Sequence, residues 1–92
     1  MKELIKVKIE EASRLCGLSS DMIIHYIEEE WVLPLEENFF DEEDITRIKL
    51  IYDLQEELGV NEESVPIILH LIDQIISMQT RLRDYSSQED RQ

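Results

Sequence analysis

This 92-residue chain holds only two glycines, Gly17 and Gly59, and two prolines, Pro34 and Pro66. So little helix-breaking punctuation favours a helical fold with short connections. Between the breaks, apolar residues recur at helical spacing. Ile9, Ala12, Leu15 and Cys16 predict a short first helix stopped by Gly17, since glycine best tolerates a left-handed C-terminal position. Ser19 or Ser20 caps a second helix, with Asp21 in its first turn and Met22, Ile23, Tyr26 and Ile27 as its buried stripe. Two short helices joined by a tight turn make a helix-turn-helix unit. Ahead of them, residues 4–9 alternate lysines with Ile5, Val7 and Ile9, which predicts a short amphipathic strand or extended lead-in.

Pro34 ends the helical period. Trp31-Val32-Leu33-Pro34-Leu35 and Asn38-Phe39-Phe40 flank the polar pair Glu36-Glu37, and this pattern predicts a small two-stranded wing. Asp41 is a natural cap for a third helix, with Asp44 placed to reach back to the cap amide. Ile45, Ile48, Leu50, Ile51, Leu54 and Leu58 form its apolar face up to Gly59. Asn61 or Ser64 opens the fourth and longest helix, where Pro66 is tolerated in the opening turns. One apolar row runs through Val65, Leu69, Ile72 and Ile76; a second runs through Ile68, Leu71, Ile75, Met78, Leu82 and Tyr85. A three-helix body covers one row. The other is a heptad seam open to self-association, at Ile68, Leu71, Ile75, Met78 and Leu82. The expected organisation is therefore a single all-α domain over residues 1–85 with a flexible tail over 86–92.

Charge narrows the function. The net charge is −13, and residues 28–44 hold nine acids and no base. Gripping nucleic acid requires clustered Lys and Arg, so nucleic acid falls behind a basic protein as the expected partner. Glu28, Glu29, Glu30, Asp41, Glu42, Glu43 and Asp44 are the candidate contact residues, although such a run also serves solubility. Trp31 among them either anchors that contact or packs the wing on the body.

Other chemistry finds little support. Cys16 is a lone cysteine on a buried helix side, which suits packing and a reducing, cytoplasmic setting. His25 and His70 have no second His or Cys at ligand spacing, so neither metal nor cofactor is expected. There is no glycine-rich phosphate loop or nucleophile elbow, and an enzyme is not expected. No secretory signal or membrane-spanning run is read from the chain.

The order of helix, turn, helix, wing and two further helices resembles the DNA-binding domain of MerR-type regulators over about residues 5–75. Ile9, Ala12, Gly17, Ser19 and Tyr26 carry the resemblance. So do Trp31-Val32-Leu33-Pro34, where that family has a Gly-Leu-Leu-Pro type segment, and Phe40-Asp41-Glu42-Glu43-Asp44-Ile45, where it has Tyr-Ser-Glu-Glu-Asp-Leu. Ile24 and Asn38 stand where that family places phosphate-gripping arginines. The chain is more similar to the CbpM family of chaperone modulators, which look like reduced MerR domains. The matching stretches are Lys6-Val7-Lys8-Ile9, Phe39-Phe40-Asp41-Glu42, residues 68–75 and Arg81-Leu82-Arg83. The resemblance implies a non-enzymatic role: binding the J-domain of a DnaJ- or CbpA-like co-chaperone and inhibiting its action with DnaK. The alternative is a MerR-type transcriptional regulator that binds DNA as a dimer. A third option is an antitoxin-like or phage-encoded binder of another basic protein.

Overall fold

The structure, a computed structural model, describes residues 6–89, with side chains described over 6–85. Four α-helices follow one another: α1 (Ile9–Cys16), α2 (Ser20–Glu28), α3 (Glu42–Tyr52) and α4 (Val65–Glu89). Local chemistry sets their ends. Gly17 adopts a left-handed φ of 71°, and the Gly17 and Leu18 amides both donate to the Ser13 carbonyl, closing α1. The Ser19 side chain accepts from the Met22 amide to open α2. Asp41 and Asp44 form the reciprocal capping box that their spacing predicts, at 2.9 and 3.0 Å. Asn61 Oδ1 accepts from the Ser64 amide at 2.9 Å, and Pro66 lies in the first turn of α4, where its missing N–H costs nothing.

The core is a single apolar cluster. Ala12, Ile23, Tyr26, Val32, Phe40, Ile48, Ile51 and Val65 are sealed from solvent, with Leu18, Trp31, Leu54 and Leu69 nearly so. Among the described residues no charged side chain is buried. The helix-turn-helix of α1 and α2 packs on α3, and only the first turns of α4 join this body. From Asp73 to Tyr85 every residue of α4 is exposed, and the molecule measures 52 × 32 × 20 Å as a result. Helical backbone continues past Tyr85 to Glu89; of the expected tail, residues 90–92 lie outside the described residues.

Two expectations need correction. The two-stranded wing does not form, and no strand occurs among the described residues. In its place are two isolated antiparallel bridges, Glu36 with Phe39 and Val7 with Phe40. Trp31 and Val32 are both drawn into the core, so the segment does not alternate, and Leu35 is 95% exposed with no apolar face to join. Pro34 lacks an amide to donate, and Phe40 exchanges both backbone hydrogen bonds with Val7, at 2.8 and 2.9 Å, which leaves the turn as a loop. Of the expected N-terminal strand, Leu4 and Ile5 lie outside the described residues.

The third helix also does not run unbroken to Leu58. After Tyr52 it widens into a π-helical turn over Asp53–Glu57, with the Leu58 amide reaching back to the Asp53 carbonyl at 3.1 Å. The extra residue rotates Leu58 off the apolar face, leaving it 71% exposed. Gly59, with φ 69°, then turns the chain, and the Val60 amide closes on the Leu54 carbonyl at 2.8 Å.

Candidate functional site

A groove of about 590 Å³ opens between the loop after α2, the outer face of α3 and the emerging α4. Its apolar lining comes from Trp31, Leu33, Leu50, Ile72 and Ile76; Leu33 is 68% exposed and Ile76 54%. Glu43 and Asp44 form one rim. Arg47 is the base in this groove, and it is already engaged. Its Nε donates to the Trp31 carbonyl, and its two terminal nitrogens fork onto Asp73 of α4 at 3.0 and 3.4 Å. Arg47 thus ties loop, α3 and α4 together, and its charge is spent on Asp73. Among the described residues Glu43 makes no ion pair. Burial, aided by the neighbouring Asp41 carboxylate, holds Asp44 above the ordinary carboxylate range, against the pull of the Asp41 amide hydrogen bond. An apolar floor with an uncompensated acidic rim suits an amphipathic segment that carries bases.

The candidate contact residues do not form one surface. Trp31, Glu43 and Asp44 meet at the groove, whereas Asp41 and Glu42 border a smaller hollow of about 240 Å³ with Val7, Leu15, Phe40 and Ile45. Glu28, Glu29 and Glu30 are exposed where α2 ends, outside both. Glu30 occupies a left-handed φ of 63°, so that the Trp31 amide can return to the Tyr26 carbonyl at 2.9 Å. Trp31 itself is 4% exposed: its ring belongs to the core, in contact with His25 and Tyr26, and packs the loop on the body. Glu36 is paired with Lys6 at 2.7 Å, which raises the lysine's pKa.

Sequence reasoning missed Arg47 and Asp73, and it placed Leu33 among the apolar residues of the acidic segment without naming it as a contact residue. Arg47 had a signal, as the first base after the acidic run. The seam residues Leu71, Ile75, Met78 and Leu82 are all exposed along α4, while Ile68 is half-buried against the core. The Cys16 thiol faces the Ile45 carbonyl at 3.9 Å, and burial pushes its pKa up. Among the described residues no three of His, Cys, Asp and Glu gather closely enough to hold a metal ion, and no helix is long and apolar enough to cross a membrane.

The profile of the family described as "MerR HTH family regulatory protein" matches residues 7–86, and the chain belongs to that family. No curated protein matches it.

Proposed function

We propose that this member of the MerR helix-turn-helix family is a non-enzymatic protein-binding modulator, which takes a basic helix of a J-domain into the groove between Trp31, α3 and α4. The observation that carries this reading is the composition of α2, the second helix of the unit, which in DNA-reading relatives of this architecture enters the major groove. Here α2 has no Lys or Arg, and its exposed positions include Asp21, Ile24 and Glu28, followed by Glu29 and Glu30. Such a face repels phosphate. The acidic edge draws a basic segment in and selects its orientation, while Leu33, Ile72 and Ile76 supply the apolar hold. A J-domain seated there has its basic helix covered and withheld from DnaK, which is the inhibitory mechanism. The exposed seam of α4 serves self-association, with Leu71, Ile75, Met78 and Leu82 of two copies packed together. The setting is the cytoplasm.

The test is titration of a purified J-domain of a DnaJ- or CbpA-like protein at low and high salt. Binding weakens as salt rises, and Glu43→Lys with Leu33→Asp reduces affinity by about tenfold or more, the cost of one lost anchor and one reversed charge. Absence of binding at both salt concentrations refutes the proposal. The second reading, a DNA-binding regulator, rests on the family itself. A stable mobility shift of duplex DNA at physiological salt favours it.

A further inference from the structure

The groove and the seam meet on α4. In the turns where this helix leaves the body, Leu71-Ile72 and Ile75-Ile76 form two adjacent apolar pairs one turn apart. Leu71 and Ile75 belong to the exposed seam, and Ile72 and Ile76, one position further around the helix, line the groove. Apolar surface therefore runs from the seam into the groove floor. Further out it narrows to Met78, Leu82 and Tyr85, spaced four and then three apart, and Arg81 and Arg83 flank Leu82 on its two sides.

Charge separates the two ends of this helix. The whole chain carries −13, yet residues 74–85 hold two bases, Arg81 and Arg83, against the one acid Asp84. Both arginines are exposed and make no ion pair among the described residues. At the root of the helix, Glu43 on the groove rim is exposed and equally unpaired. The outer turns of α4 are thus an amphipathic helical segment that carries bases, the class of ligand that an apolar floor with an acidic rim suits. Because α4 is one continuous helix over Val65–Glu89, its own tip does not fold back onto its root, whereas a second copy can bring one. Two copies at −13 repel each other over most of their surface, so a contact that holds them sets a basic patch against an acidic one. We propose that the groove is a docking site for the outer turns of α4 from a second copy of this chain, with Met78, Leu82 and Tyr85 laid beside Leu33 and Ile76 and the two arginines set against Glu43. The exchange is reciprocal about a two-fold axis, each copy giving a tip and taking one. A groove filled in this way is closed to any other basic helix, so self-association and partner capture exclude one another. The inference rests on the groove as a seat for a basic helix, but its test uses this chain alone and is blind to whether a J-domain binds.

Sedimentation velocity of the whole chain over a concentration series gives the dimer dissociation constant. Glu43→Arg in one variant, and Arg81→Glu with Arg83→Glu in another, each weaken the dimer by about tenfold, because each sets like charges together twice per dimer. All three positions are exposed, so the circular dichroism spectrum of both variants matches that of the wild type. Mixed in equal amounts, the two variants recover the wild-type affinity, since each groove then meets a tip of opposite sign. Leu33→Asp, which lies off α4 and off the seam, weakens the dimer as well. A chain that stays monomeric at every concentration overturns the exchange. So do folded groove variants that associate as tightly as the wild type, a result that assigns self-association to the seam alone, and an equimolar mixture no tighter than its components.

Discussion

Replacing Tyr26 by phenylalanine removes one oxygen atom from the interior and nothing else. The hydroxyl has lost its water and found no protein partner, and a buried unsatisfied polar group of this kind costs about 1–3 kcal/mol. The phenyl ring keeps the contacts of the original with the core around Ile23 and Trp31. The variant should therefore be more stable, by about 1 kcal/mol at the low end of that range, equivalent to a rise of roughly 4–8 °C in Tm for a domain of this size. The sign is unusual, since most core substitutions destabilise. Urea unfolding followed by circular dichroism, with the emission of Trp31 as a second probe, measures it. The same residue leaves an alkaline signature. Burial, with the Glu56 carboxylate nearby, pushes the Tyr26 pKa from 10 up to about 12. The folded state then holds its proton while the unfolded chain releases one, so this residue costs the wild type stability as pH rises from 10 toward 12, by at most about 1.4 kcal/mol per pH unit. The gap between variant and wild type must widen over that window and stay constant below it. If Tyr26→Phe is destabilising by 1 kcal/mol or more, the hydroxyl has a partner in solution and the orphan is refuted.

Two further substitutions test separate features. Glu30→Gly relieves the left-handed backbone after α2 and should stabilise the fold by about 0.5–1 kcal/mol in the same urea assay; a loss of stability would show that the glutamate side chain contributes more than its backbone costs. Ile75→Asp with Leu82→Asp places charge in the middle of the exposed seam of α4, far from the core, and should convert a self-associated species to monomer in sedimentation velocity without changing the helical signal of the body. Unchanged association in that double variant would remove α4 from the interface.

The elements written in local chemistry were legible in the sequence. Gly17 announced the end of α1, Asp41 and Asp44 announced the capping box, and the second apolar row of α4 announced a helix with more greasy surface than its body covers. Features that depend on distant partners were not. Residues 31–40 carry strand-like composition, but Phe40 pairs with Val7, more than thirty positions away, and Trp31 and Val32 enter the core side by side. A period of two cannot anticipate either contact. The π-helical turn is invisible for a similar reason, because Leu54 and Leu58 keep perfect four-residue spacing while the backbone gains a residue between them. His25 Nε2 and Glu62 Oε1 meet at 2.6 Å across 37 positions, and neither gives a hint of the other in the sequence. The candidate site was half legible: acidity and Trp31 led to the loop beside which the groove opens, yet the ring turned inward, and it is Leu33 and Ile76 that expose apolar surface there. Arg47 reads in the sequence as a stray base and is in fact the rivet that joins loop, α3 and α4.

The outer half of α4 has few neighbours in its own chain to hold it rigid. A lone segment of this length sits near the limit of what hydrogen bonding alone sustains in water, so its order is borrowed from the splinted first turns near Val65 and Leu69. Amide exchange should accordingly rise along the helix from its root to its tip in dilute samples, and flatten as concentration brings a mate to the seam. Crowding of like copies would then act as a stiffening dial, turning a fraying spoke into a strut.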